Sequence, residues 1–275
     1  MKSGGNDHFA LPAFQLSVAS PPEPVPLVIT SNGVNLDLEW DSRPGMFYIL
    51  RTSTDLAADL AVWESVKVPG SVENDGVFEI ATNPFVNMHT IPRPADPVRF
   101  YRVQELPLPP VAVLSDDFES GPGAWSVGAS GAPGTGWQLG TPTDVGPAES
   151  RSGVNCFGTN LGGNYGPDAD AWLRSPVIDL SLANEASLRY WEFRDIEEGF
   201  DFGVVRLLDA ADDSELAVLE TDIDGITPDW EVVTHAIPAE ALGKAIKLEF
   251  RFVSDDISSF AGWYIDDVLL TTPAR

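Results

Sequence analysis

The chain has 275 residues, of which 42 are Asp or Glu and 16 are Lys or Arg, a formal net charge of −26 at pH 7. That field excludes nucleic acid and anionic membrane surfaces as partners, since phosphate contacts need a surplus of cations. Cys156 is the single cysteine, so an intramolecular disulfide and a Cys-rich zinc site are excluded, and no apolar run reaches the roughly 20 residues that cross a bilayer.

With 24 Gly and 23 Pro, turns are frequent and long helices are disfavoured, which predicts an all-β chain. Residues 1–26 read as a leader and Pro-rich spacer with no apolar h-region, ending in Pro21-Pro22-Glu23-Pro24-Val25-Pro26. In residues 27–104, Val34, Leu36, Leu38 and Trp40 alternate with Asn35, Asp37 and Glu39, the period of a half-buried strand. Phe47–Leu50, Val77–Ile80 and Val98–Val103 repeat that pattern between turn clusters at Ser42–Gly45 and Glu73–Gly76. A small antiparallel sandwich follows. The segment 105–114, with Pro107-Leu108-Pro109-Pro110, reads as a linker.

Residues 115–271 form the second predicted domain. Ile246, Leu248, Phe250 and Phe252 alternate with Lys247, Glu249 and Arg251 as a strand with one apolar face. Leu188–Trp191, Gly203–Leu207 and Trp230–Val233 are further strands, and Pro238–Lys244 is either a single helical turn or a polar connection. The polar, glycine-rich Gly158–Gly166, with Asn160, Asn164 and Tyr165, is a candidate sugar contact, although Gly and Asn also serve turn geometry. Trp40, Trp172 and Trp230 lie in strand-like contexts that favour core packing over a carbohydrate platform.

Leu38-Glu39-Trp40-Asp41, Gly45-Met46-Phe47-Tyr48 and Arg51–Leu56 give 27–104 a resemblance to fibronectin type III-like domains of bacterial secreted proteins. The second domain opens on Asp116-Asp117-Phe118-Glu119 and closes on Gly262-Trp263-Tyr264-Ile265-Asp266-Asp267-Val268. Between them lie Gly136–Gly140, Trp172–Ser181 and Gly199–Gly203. This order resembles the MAM-like jelly-roll domains attached to bacterial secreted peptidases of the immune inhibitor A type, without the paired cysteines of animal MAM domains. The resemblance implies two antiparallel β-sandwiches, the second a jelly roll.

In a jelly roll the first and last strands can lie side by side. Asp117, Glu119, Asp266 and Asp267 would then crowd one edge, where Ca²⁺, which takes 6–8 oxygen ligands, relieves their repulsion. Alternation puts Trp263, Ile265 and Asp267 on one side and Tyr264, Asp266 and Val268 on the other, so one aspartate faces the site, with Asp267 preferred. The competing reading is that these are edge charges that block sheet-to-sheet pairing.

No His-Glu-x-x-His motif, nucleophile elbow or P-loop is present. A Cys156–His235 dyad and a glycosidase pair drawn from Asp195 or Glu197 with Asp201 are the catalytic alternatives. The expected function is an extracellular, non-catalytic binding or adhesion module for a protein or glycan, with structural calcium. An accessory region of a secreted peptidase, a cryptic glycoside hydrolase and a structural subunit of an extracellular assembly are the alternatives.

Overall fold

The structure is a computed structural model that describes residues 25–43, 45–66, 77–78 and 86–274. Most of the 1–26 leader, Pro44, the turn at Glu73–Gly76 and the end of the strand expected at Val77–Ile80 lie outside the described residues. The chain divides into Met1–Pro107 and Leu108–Arg275.

The first unit contains β1 (Val28–Ser31), β2 (Asn35–Asp41), β3 (Met46–Ser53), β4 (Glu64–Ser65), β5 (Val77–Phe78), β6 (Val86–Pro92) and β7 (Phe100–Pro107). One sheet has the order β1-β2-β6, and the other places β4, β5 and β7 against β3, all antiparallel. The alternation that predicted β2 buries Leu38 and Trp40 against Tyr48, Leu50, Ile91 and Val103. Strand β6 was not anticipated, because Val86-Asn87-Met88-His89 mixes polar groups into both faces. Strand β7 runs to Pro107, so the expected joint at 105–114 begins inside a strand.

The second unit contains β8 (Val111–Asp116), β9 (Ser126–Ala129), β10 (Trp137–Gly140), β11 (Cys156–Thr159), β12 (Asp170–Arg174), β13 (Ile178–Asp179) and β14 (Ser187–Ile196). It continues with β15 (Phe202–Asp209), β16 (Glu215–Ile223), β17 (Gly225–Ile226), β18 (Glu231–Ala236), β19 (Ala245–Val253) and β20 (Gly262–Thr272). A seven-stranded sheet runs β10-β11-β20-β14-β17, with β8 also on β20 and β18 also on β14. A six-stranded sheet runs β16-β15-β19-β12-β9, with β13 also on β19. The chain is therefore all-β and antiparallel, and Pro238–Lys244 folds as turns.

The core lies between these two sheets. Leu173, Val205, Leu207, Ile246, Leu248, Phe250 and Phe252 meet Leu188, Tyr190, Trp263, Ile265, Val268 and Leu270. Phe250 bridges the layers edge-on, 5.0 Å from Tyr190 and 5.6 Å from Trp263. Burying one such aromatic in place of a truncated side chain stabilises by about 3–5 kcal/mol.

The outer face of β19 departs from simple solvent exposure. Glu249 is fully buried between Arg174 and Arg206, whose side chains reach it at 2.5 and 2.6 Å. Lys247 pairs with Asp213 at 2.6 Å and Arg251 with Asp170 at 2.5 Å. Four of the few cations of this acidic chain are thus spent along one sheet face.

Alternation also fails within β20. Asp267 adopts a left-handed φ of 48°, and the pairing with β14 shifts register between Arg189 and Trp191, opposite this point. A bulge of this kind reverses the facing of everything after it. Trp263 and Ile265 point to the core before the bulge, and Val268 and Leu270 do so after it.

Candidate metal centre and binding groove

β8 and β20 pair antiparallel, with Asp116 opposite Val268. The two acidic termini of the second unit are therefore neighbours, yet their four candidate ligands do not converge. Among the described residues, the one set of three carboxylates with oxygens within 4.8 Å of each other contains none of Asp117, Glu119, Asp266 and Asp267. Backbone amides stand where a shared cation was expected.

Glu119 Oε1 accepts from the amides of Val154 and Asn155 at 2.9 and 2.7 Å. Asp266 Oδ2 accepts from Arg151 and Ser152 at 3.0 and 3.2 Å, and its Oδ1 from Asp267 at 2.7 Å. Ser152 Oγ donates to Asp267 Oδ1 at 2.8 Å. Asp117 Oδ1 closes the local turn by accepting from Glu119 N at 3.2 Å. Asp117 and Asp267 also line a hollow of about 230 Å³ with Arg189 and Asp116. Of the two aspartates Asp266 is fully buried, whereas Asp267, at the bulge, is partly exposed and is the one that lines the hollow with Asp117.

These acids hold down one loop, Gly146–Asn155. Gly146 has φ +81° and passes so close to Tyr264 that a Cβ there would lie 2.3 Å from the ring. Gly153, at φ +56°, leaves the same clearance for the Glu119 carboxyl, 2.2 Å from where a Cβ would stand. Burial raises the Asp266 carboxyl to about 7, against the lowering effect of the amides that bind it.

The loop forms one wall of a groove of about 730 Å³. Its floor is Trp191 and Phe193, on the face of β14 turned away from the core, and its far wall is Pro228, Asp229 and Trp230. The Arg151 guanidinium lies over the Trp191 ring at 3.9 Å. Trp230 is tilted 60° to Phe193 at 6.3 Å, and its indole Nε1 donates to the Glu149 carbonyl at 3.0 Å. Sequence reasoning missed Trp191 and Phe193 as site residues. Their signal was alternation with Tyr190 and Glu192, which put large aromatics on the strand face where polar groups are usual.

The converging carboxylates are Glu197, Asp201 and Asp255. Asp201 is fully buried, accepts from the Tyr165 hydroxyl at Oδ2, and accepts from Asp255 N at 2.7 Å at Oδ1. Burial and the neighbouring Asp201 raise the Tyr165 hydroxyl well above its ordinary range. Glu197 Oε2 is buried without a hydrogen-bond partner. With their oxygens within 4.8 Å, two ionised carboxylates at an effective dielectric of 20 would repel by about 3.5 kcal/mol or more. All-oxygen donors, one of them an orphan, are the chemistry a hard cation takes up. Glu197 and Asp201 were considered as a glycosidase pair, but Asp201 is sealed from a polysaccharide by burial and already holds two donors. Asp195, the other acid considered for that pair, is not in this group.

The remaining expectations resolve locally. Cys156 is buried and its thiol is pushed up to about 12 by burial, while His235 Nε2 pairs with Glu220 at 3.1 Å and stacks on Tyr190. A thiol in that state supplies no thiolate for a dyad at neutral pH. In Gly158–Gly166 the amide groups turn inward: Asn160 Nδ2 donates to Gly134 O at 2.8 Å and Asn164 Nδ2 to Ser259 O at 2.7 Å. Trp40 is core, whereas Trp172 is half-buried under Arg174 at 4.1 Å and Trp230 is half-buried in the groove.

No family model matches the chain. Over 161 residues, 58% of the chain, it is 34% identical to Bacillopeptidase F of Bacillus subtilis (strain 168), and it spans 11% of that relative's length. Among solved structures it is similar to the K1 cleaved adhesin domain of Lys-gingipain from Porphyromonas gingivalis W83, at 22% identity and a TM-score of 0.45. That match covers 58% of this chain and 98% of the other. A second similarity is to TmCBM61 in complex with β-1,4-galactotriose, at 18% identity and a TM-score of 0.37, covering 57% of this chain and 94% of the other.

Proposed function

We propose that the chain is a non-catalytic, extracellular binding module of a larger secreted protein, an accessory region that holds a protein or glycan surface in the groove of its second unit. In this reading 27–104 is a fibronectin type III-like sandwich and 115–271 a MAM-like jelly roll. The observation that carries the proposal is the groove itself. Three half-buried rings, Trp191, Phe193 and Trp230, line about 730 Å³ of open space beside a loop fixed from beneath by buried Asp266. Aromatic surface on a rigid frame with a few polar groups is the usual composition of a recognition site. Similarity to a segment of Bacillopeptidase F supports the accessory reading and the extracellular location.

Ca²⁺ is proposed at Glu197, Asp201 and Asp255. It would tie the loop after β14 to the one after β19 and act as a structural staple rather than a Lewis acid.

The test is a screen of the purified chain on glycan and extracellular-protein arrays, repeated with Trp230→Ala and the milder Phe193→Leu. Hits that both variants lose support the proposal. Hits that both variants retain, or an array without hits, overturn it.

A further inference from the structure

We infer that the groove takes a cationic segment of a protein partner, one that presents arginine or lysine side chains; this rests on the groove being the binding site. The groove already accommodates a guanidinium, that of Arg151, stacked 3.9 Å above the Trp191 ring. Cation–π contact of this kind is favourable at such range. Beyond Arg151, ring surface of Phe193 and Trp230 remains open to the groove, and the exposed acids Glu149 and Asp229 stand on its two walls. An incoming cation therefore meets the rings of Phe193 and Trp230 and a carboxylate on each wall, against Arg151 as the one cation of the lining.

The surroundings add a second, independent argument. Residues 108–275 hold 29 Asp and Glu against nine Lys and Arg. Several of those cations are already paired internally: Arg174 and Arg206 with Glu249, Lys247 with Asp213, Arg251 with Asp170, and Arg194 with Glu192. The surplus of carboxylates is left to attract a partner of opposite sign, and a field of that size also speeds its encounter. A neutral sugar would gain nothing from it.

The experiment titrates the full chain, followed by tryptophan fluorescence, with three probes. They are an acetylated and amidated octapeptide of alternating arginine and glycine, the same peptide with serine for arginine, and cellohexaose. Two double variants remove equal charge: Glu149→Gln with Asp229→Asn in the groove, and Glu185→Gln with Glu240→Gln, both exposed and outside it. The arginine peptide is expected to bind and the serine peptide not. The groove pair should weaken the arginine peptide about tenfold, the combined effect of two exposed charge contacts, and the distant pair by less than about twofold. Equal weakening by both pairs would show attraction to the overall field alone and overturn the assignment. Saturation by cellohexaose but not by the arginine peptide, lost in Trp230→Ala, would overturn the cationic class while leaving the groove as the binding site. Silence of every probe also overturns the class, and the array screen then decides on the groove separately.

Discussion

Removing or supplying calcium perturbs the Glu197, Asp201 and Asp255 group directly. With oxygens within 4.8 Å, the three carboxylates when ionised would repel pairwise by about 3.5 kcal/mol or more at an effective dielectric of 20, and a divalent cation converts that repulsion into attraction. A ligand that binds only the folded state stabilises by about 2.7 kcal/mol when present at 100 times its Kd. For a domain of this size each kcal/mol moves Tm by about 2–4 °C, so the second unit should melt about 5–11 °C higher in saturating Ca²⁺ than in EDTA. Differential scanning calorimetry on chelator-stripped protein measures this. Asp255→Asn should remove most of the increment with little effect on the fold, because Asp255 is partly exposed and the side-chain hydrogen bond it accepts from Ile257 N at 2.9 Å can be kept by an asparagine oxygen. Asp117→Asn and Glu119→Gln should leave the increment intact. A Tm unchanged by Ca²⁺, or an increment lost in the Asp117 and Glu119 variants and kept in Asp255→Asn, would refute the reasoning.

Three further predictions rest on buried polar groups. Glu249→Gln leaves Arg174 and Arg206 without the carboxylate they share, at a cost of about 3 kcal/mol. Replacing all three residues by Met, Leu and Met should recover most of that in urea unfolding. The Asp266 carboxyl, raised to about 7 in the fold, keeps a proton that the unfolded chain gives up near pH 4. The Asp266 contribution to stability therefore falls as pH rises from about 4 to 7, since this group binds more protons in the native state there. Asp266→Asn should show a flatter profile, and parallel profiles would contradict the assignment. Cys156 should resist iodoacetamide at pH 8 in the native state and react once the chain is unfolded in urea, because its buried thiol stays protonated to about 12.

Much of the frame was readable from residue order. The alternation at Ile246, Leu248, Phe250 and Phe252 placed β19 and its buried face, and Leu38 with Trp40 did the same for β2. Period-2 patterning reports one-sided burial, and where burial is one-sided it succeeds. It failed at Asp267, where a left-handed residue inserts a bulge and reverses the facing downstream; no property of an Asp-Asp pair announces that. It failed again at Glu249, because a charge can be buried when two arginines on neighbouring strands cover it, and those neighbours are set by topology.

The candidate site was the least legible part. Proximity of the acidic termini followed from the pairing of β8 with β20, but the amides of Arg151, Ser152, Val154 and Asn155 answer those carboxylates. Which donor satisfies an anion depends on where an intervening loop comes to rest, and loop Gly146–Asn155 has no periodicity to read. The Glu197, Asp201 and Asp255 group unites residues about 55 positions apart through tertiary contact alone. The groove was concealed for a different reason: aromatic residues pack in cores as readily as they line sites, and Trp191 and Phe193 stand on the face of β14 turned away from the core.

The central claim is that ligand enters between the Gly146–Arg151 loop and Pro228–Trp230. Hydrogen–deuterium exchange of the full chain, with and without the tightest array hit, tests it in one measurement. Added protection concentrated in residues 146–153 and 228–232 is the predicted result. Protection confined to other strands or to the first unit, with these two segments unchanged, would contradict the account.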